Sequence, residues 1–456
     1  MKTYPYFPQP AESKISSFMT LFKKKRSWLD GLYAKSYTMK MGEVRMPYTT
    51  LYIVNQPDLV QRVLVSEVKK FPKNPLLHGV LTPLLGDSIF TTNGRIWRRQ
   101  RDLLEPSFMK RSVQNLFPMM EEVADDMVER LDQMAEIGGY HNLDEEMTFV
   151  TADTIFRTIL SKKLTEEEGK RVLDAFVVFQ EMSARIGMQS LFKVPDIFRR
   201  KTLKTYQEAG ETIRETLAAV IRPRYEEAHG ESEVSHRDIL SSLLTAIDED
   251  TGEPFGFKEI LDQISMLFLA GHETTASSMT WTLYLLSLYP EFQEKAYAEI
   301  KEAVGDSDFT LESLKNLKLT TNIFKEALRL YPPVSFFARV AAEDTEMRDK
   351  KIKAGSFVVV SPWLMHRNER YWKDPHMFDP HRFDDPKQIE KYTYFPFGMG
   401  PRICIGAGFA MQEAVLLLAT IIRRYRLELE PGFVPDIAGR LTTRSVNGMN
   451  IRLTRR

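Results

Sequence analysis

Apolar side chains recur at helical spacing through most of this chain, while extended β-branched and aromatic runs stand out at Tyr48 to Val54 and Phe357 to Ser361. The pattern predicts a mainly α fold with small β-sheets. Helices are expected over Met119 to Ile137, Leu164 to Arg185, Thr205 to Ala228 and Ala407 to Tyr425, with polar Gly230 to Asp238 a surface loop. No internal repeat and no low-complexity linker interrupts the pattern. A further helix from Lys258 to Tyr289 would be about 48 Å long, against a radius of gyration of about 22 Å for a compact chain of this size. It must cross the molecule through its core. Its apolar run is broken at Gly271-His272-Glu273-Thr274-Thr275, which argues against a membrane span and leaves polar groups in mid-helix to be explained. A kink with hydroxyls bonded back to carbonyls is one explanation.

Composition narrows the function classes. With 43% hydrophobic residues among 456 the chain can bury a large core, and length alone suggests two or three domains, although the motifs below span one unit. Lys plus Arg equal Asp plus Glu at 62 each, so no global field points to nucleic acid, and none is expected as a partner. One cysteine excludes an internal disulfide, in keeping with a reducing, cytoplasmic location. The N-terminal region lacks an apolar run long enough for a transmembrane anchor or a signal core; Ile15 to Phe22 followed by Lys23-Lys24-Lys25-Arg26 reads as a solvated face. His272-Glu273 does not open a zinc-protease motif, because HExxH requires histidine where Ala276 stands.

The single cysteine, Cys404, lies in Phe397-Gly398-Met399-Gly400-Pro401-Arg402-Ile403-Cys404-Ile405-Gly406. Glycines permit close approaches and unusual backbone angles, Pro401 stiffens the turn, and a helix starting near Ala407 would aim its positive end at the sulfur. A thiolate there is favoured. A dinucleotide-binding reading of the glycines fails, since a GxGxxG frame from Gly398 meets Ile403 in place of its third glycine. Elsewhere, Trp97 and Arg101 fall on one helical face. Glu326 and Arg329, three residues apart, read by default as a surface ion pair.

Phe397, Gly400, Arg402, Cys404 and Gly406 match Phe-x-x-Gly-x-Arg-x-Cys-x-Gly, and on that motif the chain resembles the cytochrome P-450 superfamily. The resemblance runs from about Phe71 to Gly448 and implies a single catalytic domain over residues 1–456, with an N-terminal β-containing lobe beside a larger helical one. It implies that Cys404 is the proximal, metal-ligating residue of haem b, with Phe397 packed beside it, Arg402 on a propionate and Gly406 against the cofactor. A thiolate ligand favours cleavage of the dioxygen O–O bond. Trp97-x-x-x-Arg101 implies a propionate clamp, with Arg339 after Pro332-Pro333 and, more remotely, Lys73 as further contacts. Ala270-Gly271-His272-Glu273-Thr274 matches the distal acid-alcohol motif, implying that Thr274 hydrogen-bonds dioxygen and Glu273 feeds protons through water as catalytic residues. Glu326-x-x-Arg329 and the later Asp379-Pro380-His381-Arg382-Phe383 imply a buried triad of Glu326, Arg329 and Arg382 supporting the cysteine loop.

The implied function is a monooxygenase that hydroxylates or epoxidises a lipophilic molecule such as a terpenoid, steroid, fatty acid or polyketide. A peroxide-driven peroxygenase is the alternative, but such relatives typically carry Arg-Pro where this chain has Glu273-Thr274. A non-catalytic haem sensor would require a fused signalling domain. By family position the substrate meets residues 74–93, residues 176–198, Met266, Phe268, Leu269, Ala270, Val334, Ser335, Phe336, Phe337 and Val446, nearly all apolar. Electrons are expected from an external ferredoxin or flavodoxin, because the chain has neither flavin domain nor cysteine cluster, and Arg98, Arg99, Lys110 and Arg111 are the expected docking cations. A monomer without an N-terminal anchor, like the soluble bacterial relatives, completes the expectation.

Overall fold

The computed structural model describes residues 4–24, 27–46, 48–191, 193–228, 230 and 237–456. Most of the loop at 230–238, and Lys25 and Arg26 of the basic run, lie outside them. Among the described residues the helices are α1 Lys14–Lys24, α2 Pro57–Gln61, α3 Pro75–Leu85, α4 Gly94–Leu104, α5 Lys110–Asn115, α6 Phe117–Ile137, α7 Leu143–Leu160, α8 Glu166–Leu191, α9 Arg200–Ala228, α10 Ile239–Leu244, α11 Phe257–Leu288, α12 Pro290–Ala303, α13 Leu311–Asn316, α14 Lys318–Leu330, α15 Pro362–Met365 and α16 Ala407–Arg424. The strands are β1 Met41–Arg45, β2 Thr50–Val54, β3 His141–Asn142, β4 Phe337–Val340, β5 Thr345–Met347, β6 Lys350–Ile352, β7 Phe357–Val360, β8 Tyr425–Leu429, β9 Ile437–Gly439, β10 Thr443–Ser445 and β11 Asn450–Arg455.

The two strands legible in the sequence pair with each other. β2 and β7 run parallel with Leu51 opposite Phe357 and Val54 opposite Val360, at the centre of a sheet ordered β1-β2-β7-β4. Their inner faces form a small core with Leu59, Val63, Met365 and Phe395, separate from the large core of the helical part. Helix α16 ends at Arg424, one residue short of the expected Tyr425. That tyrosine opens β8 instead, opposite Arg455, with its ring buried and its hydroxyl donating to Asp132 at 2.7 Å.

Helix α11 spans 32 residues and is buried along most of its length, with Gly256 and Glu259 closing its N-terminus in a capping box. It is continuous through Gly271–Thr275, so the expected interruption is one of polarity and not of backbone. Thr274, Ser278 and Thr282 each donate to the carbonyl four residues back, at 2.7 Å in all three cases. Gly271 is where α7 crosses: a Cβ there would stand 2.3 Å from Ile155 Cδ1. The glycine permits the close crossing that brings α7 against α11.

Candidate active site

Beside α11 lies a cavity of about 840 Å³, walled by residues from both ends of the chain. On one side the loop 397–406 presents Phe397, Arg402, Cys404 and Gly406. Gly400 sets the loop's path, since its φ is +70° and a Cβ would meet Leu64 O at 2.2 Å, so no other residue fits. The Cys404 amide donates to Phe397 O at 2.9 Å and closes the loop, leaving the thiol open to the cavity. Burial raises that thiol's pKa and the Gly406 amide and the Arg101 charge offset it only in part, so the protein groups of the loop do not by themselves favour the thiolate as expected. Gly406 has φ −88°, and a hypothetical Cβ there would come no closer to any atom than 3.9 Å, to the Phe108 ring.

Cations gather at the cavity's edge. Lys73 is buried, its ammonium donating to Ile89 O and to Thr92 O (3.1 Å). Arg101 donates to Ile403 O (2.9 Å), Arg402 to Phe71 O (3.1 Å) and Arg339 to Ala338 O (3.0 Å). The Trp97 ring lies under Lys73 and Arg402, 5.8 and 5.7 Å away. Among the described residues none of Lys73, Arg339 and Arg402 is paired with a carboxylate, and Arg101 meets only Glu105, at 3.6 Å. Burial and mutual repulsion push Lys73 down to about 6 and Arg339 down to about 10. Lys73, Arg339 and Arg402 without a carboxylate partner, Arg101 with only Glu105 at 3.6 Å, and a thiol facing the space fit a cofactor that carries two carboxylates and a metal.

Glu326 and Arg329 are wholly buried and bonded through two contacts of 2.6 and 2.7 Å. The surface-pair default is therefore wrong for them. Arg382 Nε donates to Glu326 at 3.3 Å, the Asp379 amide at 3.0 Å, and Arg329 also donates to the carbonyls of His366, Pro375 and Met377.

On the opposite side, Met266, Ala270, Gly271, Thr274 and Thr275 line the cavity, together with Val334, Phe336 and Phe337. Helical geometry corrects two expected contacts, because the lining positions 266, 267, 270, 271, 274, 275 and 278 make up one half of α11, while 268, 269, 272 and 273 fall on the other. Phe268 and Leu269 do not line the cavity. Phe268 stacks on His272, with Phe156 edge-on. Val446 does not line it either, being 44% exposed beyond β10 with its amide on Asp436 O. Of the other expected segments, Ser183 and Gly187 border the space, as do Leu77, Val80 and Ile89.

Glu273 also points off the cavity face. Its carboxylate accepts from Arg444 Nε (3.1 Å) and Nη2 (2.8 Å) and from the Thr442 hydroxyl. Arg444 in turn reaches Asp144 (2.6 Å) and Thr148 (3.2 Å). Burial alone would raise Glu273, but the Arg444 charge and hydrogen bonds outweigh it and hold the carboxyl below its usual range. Its neighbour His272 is buried between Phe176 and Phe268 with Nδ1 on Phe268 O, and burial pushes it down to about 4. Thr442 and Arg444 were missed in the sequence, since nothing local ties a threonine and an arginine near the C-terminus to an acid 171 positions earlier. Glu413 of α16 was missed too. It is buried beside Thr154 and Thr275, and burial outweighs the pull of those two hydroxyls and pushes it up to about 8.

The sequence profile of the cytochrome P-450 family matches residues 14–448. The chain is 30% identical over 421 residues to cyclooctat-9-en-7-ol 5-monooxygenase of Streptomyces melanosporofaciens, covering 91% of this chain and 87% of that one. It is 29% identical to the Arabidopsis thaliana protein LUTEIN DEFICIENT 5, chloroplastic, covering 89% and 70%. Its fold superposes on the crystal structure of the cytochrome P-450DA haem domain with a TM-score of 0.81 at 26% identity, covering 91% and 90% of the two chains. The chain belongs to the cytochrome P-450 family and is a monooxygenase whose cofactor is haem b. Dioxygen, an organic substrate and an external electron donor are what that activity requires. No helix among the described residues is long and apolar enough to cross a membrane.

Proposed function

We propose that this enzyme inserts one oxygen atom into a lipophilic small molecule of terpenoid, steroid, fatty-acid or polyketide type, by hydroxylation or epoxidation. The observation that carries this reading is the cavity itself, apolar on nearly every wall and bounded by Cys404 on one side and Thr274 on the other. The monooxygenase relative named for cyclooctat-9-en-7-ol supports the same class. Substrate, dioxygen, two electrons and two protons become oxidised product and one water. Haem held through the Cys404 sulfur supplies dioxygen activation. Arg101, Arg339, Arg402 and Lys73 would take the two propionates, supplying the countercharge that Arg339, Arg402 and Lys73 lack, while Trp97 and Phe397 fix the approach. Ala270 and Gly271 keep the distal wall low enough for a small diatomic molecule. Thr274 offers its hydroxyl there, and Glu273 receives protons from solvent past Asp144 and Arg444, whose side chains are 20% and 13% exposed.

The electron donor is a ferredoxin or flavodoxin docking beside the cysteine loop. Arg99 drops out of the expected docking set, being held by Asp248 (2.8 Å) and Glu259 (2.7 Å) over the Phe255 ring. Lys110 and Arg111 remain exposed, two and three residues after Phe108, whose ring borders Gly406. Titrating the haem-loaded protein with terpenoids, steroids, fatty acids and polyketides, with sugars and amino acids as controls, tests the reading. The lipophilic set is expected to shift the haem spin state. A response confined to the controls overturns the substrate class.

A further inference from the structure

Each charged residue on the cavity wall has a task or a partner, except one. Lys73, Arg101, Arg339 and Arg402 stand ready for the propionates. At the rim, Lys14 and Arg45 are spent on Glu43: Lys14 Nζ donates to its carbonyl (2.8 Å) and Arg45 Nε to its carboxylate (2.9 Å), whose other oxygen accepts from Lys350 (3.0 Å). Arg440 is different. It lines the cavity from the turn between β9 and β10, and its guanidinium makes no hydrogen bond among the described residues. Its one ion-pair partner among them is Glu181 of α8, 3.6 Å away and half exposed, beyond hydrogen-bonding reach. The Arg440 side chain is itself only 21% exposed, so its N–H donors border an apolar space with little to receive them. The backbone that carries it is held firmly. The Gly439 amide donates to Ser27 Oγ (2.8 Å), a Cβ at Gly439 would stand 2.9 Å from Leu29, and the Thr443 carbonyl accepts from Ser277 Oγ (2.7 Å) and Trp281 Nε1 (2.8 Å) of α11. Thr442 of the same turn bonds Glu273, on the helix that carries Thr274. Arg440 therefore lies on the oxygen side of the cavity and outside the cluster of cations around Trp97.

We propose that Arg440 receives a carboxylate on the substrate, and that this enzyme oxidises lipophilic acids with a hydrocarbon body, such as long-chain fatty acids, in preference to neutral lipids of similar size. The inference deepens the reading of the cavity as a site for lipophilic molecules and rests on it. A guanidinium presents paired donors that match the two oxygens of a carboxylate, and such a pair set in an apolar wall is stronger than the same pair in water. Because the turn is fixed on both sides, little ordering is left for the moment of binding. Lys14 and Arg45 against the single acid Glu43 leave the rim net positive, so the entrance also favours an anion. Glu181 is the competitor. Its contact with Arg440 is long and half exposed, so a guest carboxylate displaces it at small cost. With its acid end held, the hydrocarbon chain fills the apolar lining and presents one stretch of itself to Thr274.

The test compares dodecanoic acid, ionised at neutral pH, with dodecanamide, its uncharged isostere, by spin-state titration and calorimetry of the haem-loaded protein. Wild type, Arg440→Met, Arg440→Lys, Glu181→Gln and a rim control carrying both Lys14→Gln and Arg45→Gln are measured. The acid is expected to bind the wild type about tenfold more tightly than the amide, the size of one charge-assisted hydrogen-bonded pair. That ratio should fall to near unity in Arg440→Met and be partly kept in Arg440→Lys, which has the charge without the paired donors. In Glu181→Gln, which frees the guanidinium, it should rise by about two- to threefold, and the rim variant should lower it by about twofold at most. A wild-type ratio near unity overturns the proposal. So does a preference that survives Arg440→Met, and its loss in the rim variant would then put the carboxylate at Lys14 and Arg45. A Glu181→Gln ratio equal to that of the wild type also overturns it, leaving Arg440 as an ion-pair residue only. Glu181 is half exposed, so its replacement spares the fold and decides the question even where Arg440→Met does not fold. If neutral terpenoids and steroids shift the spin state while the acid binds no better than the amide, the acid site falls and the lipophilic reading stands; if no lipophile responds, that reading itself has failed.

Discussion

On the sulfur side of the cavity, the loop comes from ten consecutive residues, 397–406, closed by a single amide-to-carbonyl bond from Cys404 to Phe397. On the oxygen side, Glu273 is held by Thr442 and Arg444, with Asp144 behind, brought together from distant parts of the chain. The first arrangement is local and fixed by Gly400, which tolerates no replacement. The second is long-range, and its charges depend on which partner arrives. Two buried carboxylates make the point. Glu273 sits against Arg444 and is held ionised, whereas Glu413, on the helix that follows Cys404, has no cation beside it and is pushed up to about 8. Burial is common to both, and the partner decides the charge.

The comparison breaks most visibly where a buried charge is stranded. Glu326→Ala leaves the wholly buried Arg329 without its partner and should cost about 3–5 kcal/mol in denaturant unfolding. A loss below 1 kcal/mol would mean that the loop does not depend on the triad.

Glu413→Gln sharpens the contrast through pH. Folded, Glu413 keeps its proton up to about pH 8, against an ordinary value of 4.5, so unfolding releases a proton throughout that interval. This contribution is fully present below about pH 4.5, shrinks as pH rises and is exhausted near pH 8. The glutamine variant lacks that decline, so at pH 8 to 9 it should exceed the wild type by on the order of 2–4 kcal/mol relative to their difference at pH 5. Thermal unfolding across pH 5–9 measures it, and parallel curves would show Glu413 ionised in the fold.

On the oxygen side, Thr274→Ala should leave folding and haem content intact while lowering product formed per reduced nicotinamide about tenfold, the balance appearing as hydrogen peroxide. Unchanged coupling would reduce Thr274 to a helix residue bonded to Ala270 O. The smallest effect belongs to the exposed cations. Lys110→Glu with Arg111→Glu should slow reduction by ferredoxin or flavodoxin a few-fold at low ionic strength and hardly at all in high salt, with substrate affinity unchanged. Equal rates at low salt would move the docking face elsewhere.

The same contrast explains what was legible in the sequence. The mainly helical fold, the long central helix and the pairing partners β2 and β7 carry strong local periodicity, and the Cys404 loop is contiguous, so all could be read. Helix faces could not be assigned with the same ease: Phe268 and Leu269 look as suited to a pocket as Met266, and only the 3.6-residue period places them on the far face. Val446 and Arg99 failed for a different reason, since exposure and ion pairing are settled by packing against distant segments. Arg444 shows the limit most plainly, being one arginine among many until the fold lays it on Glu273.

The claim on which the rest depends is that Cys404, facing the cavity, ligates the haem as a thiolate. Reduced protein under carbon monoxide should show the strongly red-shifted Soret band of thiolate ligation, and Cys404→Ala should abolish it. A Cys404→Ala protein that keeps the band would contradict the account.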